Sequence, residues 1–298
     1  MTPQRFLDTW KQALLGSGDL SAVETAALRQ CALWLSDEEA VEDLPQMMAM
    51  LRAGKSADLV DAFYQQIPFG TGGRRGPVGI GPNRINVKTI CSSVQGHSQY
   101  LRKRFPGREL SVVIAYDVRV FEDARAVYES NLPLRLRGMS SRDFAELAAG
   151  VYAANDVQVH MLSRGSERWL STPELSFAIR FLEAQGGLNV SASHNPPDDN
   201  GAKVYNHHGG QEIPPFDQQL VEEVEKAGSI QRLAYEEGVA SGLIRGLPED
   251  LHQAYVDLNL SLLSTDCRSA RVVFTPLHGT ADSTVGDVLR EAGFDVEL

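Results

Sequence analysis

Residues 144–161 read Phe144-Ala145-Glu146-Leu147-Ala148-Ala149-Gly150-Val151-Tyr152-Ala153-Ala154-Asn155-Asp156-Val157-Gln158-Val159-His160-Met161, and the change of rhythm inside this stretch decides the fold. As far as Asn155 the apolar residues recur at helical spacing; from Val157 they read as a strand. Upstream, Val112-Val113-Ile114-Ala115-Tyr116 is a short apolar run of the kind that forms a buried strand. Downstream, residues 173–184 have helical spacing, with Thr172 as the expected cap before Pro173 at the first position. Gly187-Leu188-Asn189-Val190 then reads as a strand that runs into a polar loop. Strands alternating with helices predict an α/β fold with a mixed, largely parallel sheet flanked by helices. In such sheets ligands bind at the loops beyond the carboxyl ends of the strands.

Residues 1–66 read as helical instead. Leu7, Trp10 and Leu14, then Ala27, Leu28, Cys31, Leu33 and Leu35, recur at roughly helical intervals, and residues 44–64 continue the pattern until Pro68 closes it. This segment holds ten acidic and five basic residues and no constellation with evident chemistry. It is expected to be a helical extension packed on the α/β part of the chain, with a small regulatory module as the alternative. Residues 120–139 look like an insertion between the first strand and its helix. Residues 228–246, richer in glycine and small residues, form a candidate boundary. A helix over 251–263, a strand at Val272-Val273-Phe274, a helix over 279–292 and a new apolar start at Phe294-Asp295-Val296 then read as the opening of a second, similar α/β domain. The expected organisation is thus 1–66, 67–246 and an incomplete 247–298.

The chain has 298 residues, 43% of them apolar and 22% charged, with a formal charge of −11. That is enough for two domains with real cores and argues against wholesale disorder. The acidic balance argues against nucleic acid as a partner, since phosphate backbones are held by clustered Lys and Arg. Three cysteines, Cys31, Cys91 and Cys267, lie far apart with no zinc spacing, so a reduced, cytoplasmic setting is expected. Polar and apolar residues alternate at the N-terminus, unlike a signal peptide, and no apolar run approaches the ~20 residues of a membrane span.

Two motifs carry the chemistry. The first runs Phe69-Gly70-Thr71-Gly72-Gly73-Arg74-Arg75-Gly76-Pro77-Val78-Gly79-Ile80-Gly81-Pro82-Asn83-Arg84 and holds six glycines; residues 68–88 carry four cations and no acid. Backbone amides in such a loop can cradle an anion, and arginine binds phosphate bidentately. No Gly-Lys-Ser/Thr follows, so it is not a nucleotide P-loop. The bland alternative is a flexible turn with solvated arginines. The second motif is Ser191-Ala192-Ser193-His194-Asn195-Pro196-Pro197-Asp198-Asp199-Asn200-Gly201-Ala202-Lys203-Val204-Tyr205. A serine at the carboxyl end of a strand is well placed to meet a ligand. Phosphorylated, it would carry about −1.5 to −2 charge and three acceptor oxygens. A partly desolvated lysine can be tuned towards general-base duty. The bland alternative here is a surface turn with Ser193 capping and Lys203 solvated. Without a Gly-x-Ser-x-Gly elbow, an acyl-serine hydrolase has no support.

Together the motifs resemble those of the α-D-phosphohexomutases, the superfamily of phosphoglucomutases and phosphomannomutases. Residues 69–76 resemble its Phe-Gly-Thr-(Ala/Gly)-Gly-x-Arg-Gly signature, and Ala115-Tyr116-Asp117-Val118-Arg119 its Gly-Tyr-Asp-x-Arg strand end. Residues 191–196 resemble its Thr-Ala-Ser-His-Asn-Pro active-site motif with Ser for the first Thr, and Pro276-Leu277-His278-Gly279 a second-domain strand-to-helix turn. The resemblance covers roughly residues 67–298. It implies that Ser193 is a phosphoserine that gives and regains the phosphoryl group. His194 then orients sugar and phosphate, Lys203 is the general base, and Arg75 sits beside the transferring phosphate with general-acid assistance. Thr71, Gly72, Arg74, Asn195 and Asn200 are the implied substrate-binding residues, with Asn200 and Gly201 shaping the lysine loop. It also implies one Mg²⁺ held by the Ser193 phosphate and three aspartates of an Asp-Gly-Asp-x-Asp-Arg loop. That loop is not in this sequence, nor are the sugar-selecting Gly-Glu-x-x-x-Gly loop and the Arg-x-Ser-Gly-Thr phosphate clamp. Asp198 and Asp199 are expected to be a solvated turn, not substitutes for the missing aspartates.

The implied reaction interconverts hexose 1-phosphate and hexose 6-phosphate, glucose before mannose, through a hexose 1,6-bisphosphate that also serves as activator. The expected partner is a hexose phosphate, not nucleic acid or a membrane. The 298 residues by themselves are expected to be inactive. The rival readings are a non-catalytic phosphosugar-binding or regulatory fragment and a phosphoserine-dependent phosphatase.

Overall fold

The computed structural model describes residues 2–16, 18–70 and 72–297. Its centre is a six-stranded sheet built from β1 (Gly73–Pro77), β2 (Leu110–Tyr116), β3 (Val157–Met161), β4 (Gly186–Val190), β5 (Asp199–Asn206) and β6 (Ile244–Gly246), in the order β1-β5-β4-β2-β3-β6. The pairs β4–β2, β2–β3 and β3–β6 are parallel, whereas β5 runs antiparallel to both β4 and β1. The sheet is therefore mixed and mostly parallel. Its central strands β2 and β4 are buried almost throughout, as expected of parallel strands covered on both faces.

Five helices come first: α1 (Pro3–Leu15), α2 (Ala22–Trp34), α3 (Glu38–Val41), α4 (Leu44–Arg52) and α5 (Ser56–Phe63). Their inward residues Phe6, Trp10, Trp34, Met47 and Phe63 join one continuous core with Ile90, Val112, Ile114 and Tyr152 of the sheet domain. The expected single helix over 44–64 is two helices. Gly54 takes φ +76, and the amides of Gly54 and Lys55 donate back to the carbonyls of Leu51 and Met50, a glycine stop that turns the chain.

Helices α6 (Val87–Arg104), α7 (Ser141–Ala154) and α9 (Phe216–Glu225) cover that face of the sheet, and α8 (Thr172–Phe181) the other. On the second face Leu175, Ala178 and Ile179 pack with Val113, Ala115 and Leu251. The cap of α8 is Ser171, whose hydroxyl accepts from the Glu174 amide. Thr172 and Pro173 are already inside the first turn, one position later than expected. After the short α10 (Tyr235–Ala240), helix α11 (Leu251–Leu260) is shorter than the expected 251–263. A parallel pair, β7 (Arg271–Val273) with β8 (Asp295–Glu297), follows. Between these strands the expected 279–292 helix is a π-helical turn over Asp282–Gly286 followed by α12 (Asp287–Glu291). All three cysteines are free, Cys31 and Cys91 buried and Cys267 exposed. Among the described residues no helix is long and apolar enough to cross a membrane.

Candidate active site

The site forms where β2 and β4 end side by side. Because the two strands are parallel neighbours, their carboxyl ends deliver the 117–119 and 191–198 segments to one place. The Asp117 amide donates to the Val190 carbonyl (3.1 Å) and ties the two exits together. Ser193 stands at the tip of its loop, exposed, with φ +57. A non-glycine residue held in the left-handed region persists only where its surroundings over-determine it. Here they do. The Ser193 amide donates to Ser191 Oγ (3.0 Å). The Arg119 guanidinium donates to four carbonyls of the loop: Nη2 to Ser193 (3.0 Å) and Asn195 (2.8 Å), and Nη1 to Pro196 (2.5 Å) and Asp199 (3.1 Å). Arg119 is fixed in turn by Nε to Asp117 Oδ2 (3.0 Å). The Asp-x-Arg spacing was visible in the sequence, but nothing there showed that its arginine clamps the serine loop.

Strand β5 brings in the lysine. Side chains alternate across a strand, so Ala202 and Val204 enter the core while Lys203 faces the site side, half-buried. On β1, Arg74 pairs with Ala202 and Arg75 with Gly201. The same alternation turns Arg74 inward and Arg75 outward. Arg74, only 4% exposed, donates from Nη1 to the Thr89 carbonyl (3.2 Å) and Ser92 Oγ (3.0 Å) of α6. It is thus an internal strut, which corrects the expectation that it binds substrate. Arg75 is exposed on the face of Lys203. Burial lowers the Lys203 pKa below the ordinary 10.5, and the Arg75 charge pushes the same way. This is the condition that frees a lysine to accept a proton.

The glycine loop is an ordered hairpin edge. Gly73 takes φ +125, and a Cβ there would lie 1.9 Å from the Ala202 carbonyl oxygen, so only glycine allows β1 to sit this close to β5. The Gly72 carbonyl accepts from the Val204 amide (3.0 Å). Thr71 lies outside the described residues. At the far end Asn86 caps α6, accepting from the Thr89 amide (3.0 Å), and its own amide donates to the carbonyls of Gly79 (3.0 Å) and Gly81 (2.8 Å).

The remaining residues sort by exposure. His194 is exposed, its Nδ1 3.5 Å from Ser193 Oγ. Asn195 donates from Nδ2 to Asp199 Oδ2 (2.7 Å). Asn200 is buried; it donates to Ser141 Oγ (2.9 Å) and accepts from the Gly201 amide, so it shapes the loop and is not free to meet a ligand. Asp198 and Asp199 are 3% and 6% exposed, not a solvated turn. Asp199 pairs with Arg125 (2.6 Å) and Asp198 accepts from the Arg125 amide (2.8 Å). The 120–139 insertion, read only as a loop in the sequence, supplies both contacts. The Pro276-Leu277-His278-Gly279 turn lies apart from these residues on the β7–β8 unit, with Leu277 at φ +50 and 81% exposed.

The residues present do not fit a Mg²⁺ site. Among the described residues no group of three or more His, Cys, Asp or Glu side chains could hold a metal ion, and Asp117, Asp198 and Asp199 are committed to Arg119, Arg125 and Asn195.

The site is thus a clamped serine loop at the strand ends of a mostly parallel three-layer α/β domain whose sheet edge carries the basic glycine segment. Residues 138–231 match the profile of phosphoglucomutase/phosphomannomutase, alpha/beta/alpha domain I. The chain is 33% identical over 236 residues to a phosphoglucomutase of Staphylococcus saprophyticus, covering 78% of this chain and 38% of that one. It is 31% identical over 199 residues to a phosphopentomutase of Homo sapiens, covering 66% and 30%. Among solved structures it overlays a Thermus thermophilus protein described as a putative phosphomannomutase with TM-score 0.58 at 24% identity, over 78% of this chain and 45% of that one. That last likeness speaks to the fold alone. The chain carries the first domain of the phosphoglucomutase/phosphomannomutase family, and it spans between about three tenths and two fifths of the length of the curated relatives it matches.

Proposed function

We propose that this chain is the phosphoserine-bearing part of a cytoplasmic phosphosugar mutase, with Ser193 giving and regaining the phosphoryl group. The observation that carries this reading is the strained, exposed Ser193, held by Arg119, whose charge is also felt by the half-buried Lys203. In the transfer, the bond from phosphorus to Ser193 Oγ breaks as the bond to a sugar hydroxyl oxygen forms. The hydroxyl proton passes to Lys203 Nζ, and the leaving Ser193 oxygen takes up a proton with Arg75 assisting as general acid, while His194, its Nδ1 3.5 Å from Ser193 Oγ, orients sugar and phosphate. Arg75 adds positive charge across from the moving phosphoryl group, where such charge is worth most. The sugar becomes a 1,6-bisphosphate, reorients and returns a phosphate to Ser193; water must stay out, or hydrolysis would drain the phosphoserine.

The substrate class is a hexose phosphate, glucose before mannose, with a hexose 1,6-bisphosphate as activator; neither nucleic acid nor a membrane has a part. A pentose phosphate is the second reading, because one group of relatives is named for it. The 298 residues by themselves are expected to give no mutase turnover, since the aspartate loop and the phosphate clamp that the family resemblance implies are not in this sequence. Peptide mass spectrometry of a full-length version tests the central assignment, on protein isolated from its own cells and after incubation with hexose 1,6-bisphosphate or pentose 1,5-bisphosphate. Phosphate on Ser193 is expected, with the hexose donor the faster. Phosphate on Ser191, or on neither serine, overturns the assignment.

A further inference from the structure

Two buried carboxylates stand next to each other at the base of the Ser193 loop. Asp198 and Asp199 are nearly inaccessible, and adjacent buried charges are tolerated only when countered. Among the described residues one cation comes within ion-pair distance of either, Arg125. Its Nη2 donates to Asp199 Oδ1 (2.6 Å) and its backbone amide to Asp198 Oδ2 (2.8 Å), while Asp198 Oδ1 has no hydrogen-bond partner. From Asp199 the connection runs onward. Oδ2 accepts from Asn195 Nδ2 (2.7 Å), and the Asn195 amide donates to the Ala192 carbonyl (3.2 Å), closing the turn that contains Ser193.

Arg125 is itself placed from the other side of the molecule. Its segment is wound tightly. Asp123 and Ala126 take φ of 57 and 51, and the Asp123 carboxylate accepts from the amides of Val127 and Tyr128. The N-terminal helices grip this turn. Lys55 Nζ, at the start of α5, donates to the carbonyls of Ala126 (2.6 Å) and Val127 (2.8 Å). The wholly buried Gln46 of α4 donates to the carbonyls of Glu129 (2.9 Å) and Leu132 (3.0 Å) and accepts from the Glu129 amide (2.9 Å). The same segment also reaches the glycine edge, where Tyr128 Oη accepts from the Ile80 amide (2.7 Å).

We propose that Arg125 is a positioning residue for the Ser193 loop, and that the helical extension sets its place by gripping the 120–139 segment through Lys55 and Gln46. The 1–66 helices then have a part in the chemistry without touching a ligand: they hold the second of the two arginines that keep Ser193 in its left-handed conformation. The importance of that conformation rests on the reading of Ser193 given above; the mechanical linkage does not.

Amide hydrogen exchange tests the linkage on the chain as it stands. In Arg125→Ala, amides of residues 193–200 should exchange about tenfold faster or more, the scale of losing a charged hydrogen bond, while β2 and β3 stay protected. Arg125→Lys should restore part of the protection, and guanidinium added to Arg125→Ala, far below denaturing concentration, should restore more than urea does. Lys55→Ala should loosen residues 123–130 and, to a lesser degree, 193–200. Arg135→Ala, on the same segment but facing Glu39, Glu42 and Asp43, should leave 193–200 as it was. Unchanged exchange at 193–200 in Arg125→Ala, or an equal rise across the whole sheet, overturns the role of Arg125. An unchanged loop in Lys55→Ala overturns the part given to the extension. Phosphate uptake at Ser193 is followed in parallel. A full-length version whose Ser193 never takes phosphate refutes the mutase reading, whereas a loop insensitive to Arg125 refutes only this one.

Discussion

At the scale of single residues, the site separates two arginines that the sequence places side by side. Arg74 and Arg75 are adjacent, and nothing in composition tells them apart; the pleat of β1 sends one into α6 and the other onto the face of Lys203. Their substitutions should therefore read out differently. The positive charge of Arg75 disfavours a protonated Lys203, so removing it raises the lysine pKa. A general base works only when unprotonated, and phosphoryl transfer between Ser193 and a hexose phosphate should rise with pH as Lys203 loses its proton. In Arg75→Gln that rising limb should move to higher pH. A limb that stays in place or moves to lower pH would show that Arg75 and Lys203 are not electrostatic neighbours in the working enzyme. In a full-length version of the enzyme, Lys203→Ala should lower kcat by roughly 10² to 10⁴ with a much smaller change in KM, the usual scale for losing a general base. A variant with near-normal kcat would make Lys203 a bystander.

At the scale of elements, legibility followed local contrast. Strands β2, β3 and β4 were readable because apolar runs between helical patterns have few other interpretations. Strands β1 and β5 were not, because they are short, polar or glycine-rich, and they exist as strands only through each other and β4. Helix α6 is the longest of the described helices and was missed. Its buried face is built from Thr89, Ser93, Gln95, Gly96, His97 and Ser98 as much as from Ile90 and Val94, so hydrophobic periodicity carried little of its signal. The serine and lysine of the site were legible as a motif. The arginines that hold the serine were not, since Arg119 and Arg125 act on residues more than 70 positions away. The β1–β5 contact makes a prediction at this scale. Gly73→Ala places a methyl against the Ala202 carbonyl at φ +125, and no local adjustment relieves both the contact and the backbone strain. Denaturant unfolding should show a loss of about 1–3 kcal/mol. A loss below about 0.5 kcal/mol, the ordinary range for a surface substitution, would mean that β1 is not packed as described.

At the scale of the whole molecule, two buried groups, His97 and Asp43, pull its acid stability in opposite directions. His97, wholly buried with Nδ1 2.6 Å from Tyr152 Oη, is held neutral by burial, its pKa pushed from 6.5 to about 3. An unfolded chain protonates this histidine below pH 6.5 and the folded one does not, so folding stability falls as pH drops through that range. Asp43, buried where the helical extension meets the 120–139 segment, goes the other way: burial outweighs the Arg135 charge and pushes its pKa from 3.8 up to about 6. The folded state takes up this proton first, so Asp43 adds stability as pH falls from 6 towards 3.8 and loses it again as pH rises through 6. Between pH 7 and 5 the histidine should cost about 2 kcal/mol and the aspartate return about 1 kcal/mol, so the aspartate offsets only part of the histidine's cost in the parent. Separating them exposes each. Unfolding free energies measured at pH 7 and pH 5 should diverge more in Asp43→Asn than in the parent, by about 1 kcal/mol, because the compensating proton uptake is gone. In His97→Gln the sign of the difference should change in favour of pH 5, on top of a pH-independent loss from the altered Tyr152 contact. The other titrating groups are common to all three chains and drop out of the comparison. If Asp43→Asn and the parent lost the same stability on acidification, Asp43 would be ionised in the folded state, and the junction between the extension and the sheet domain would be wetter than its packing indicates.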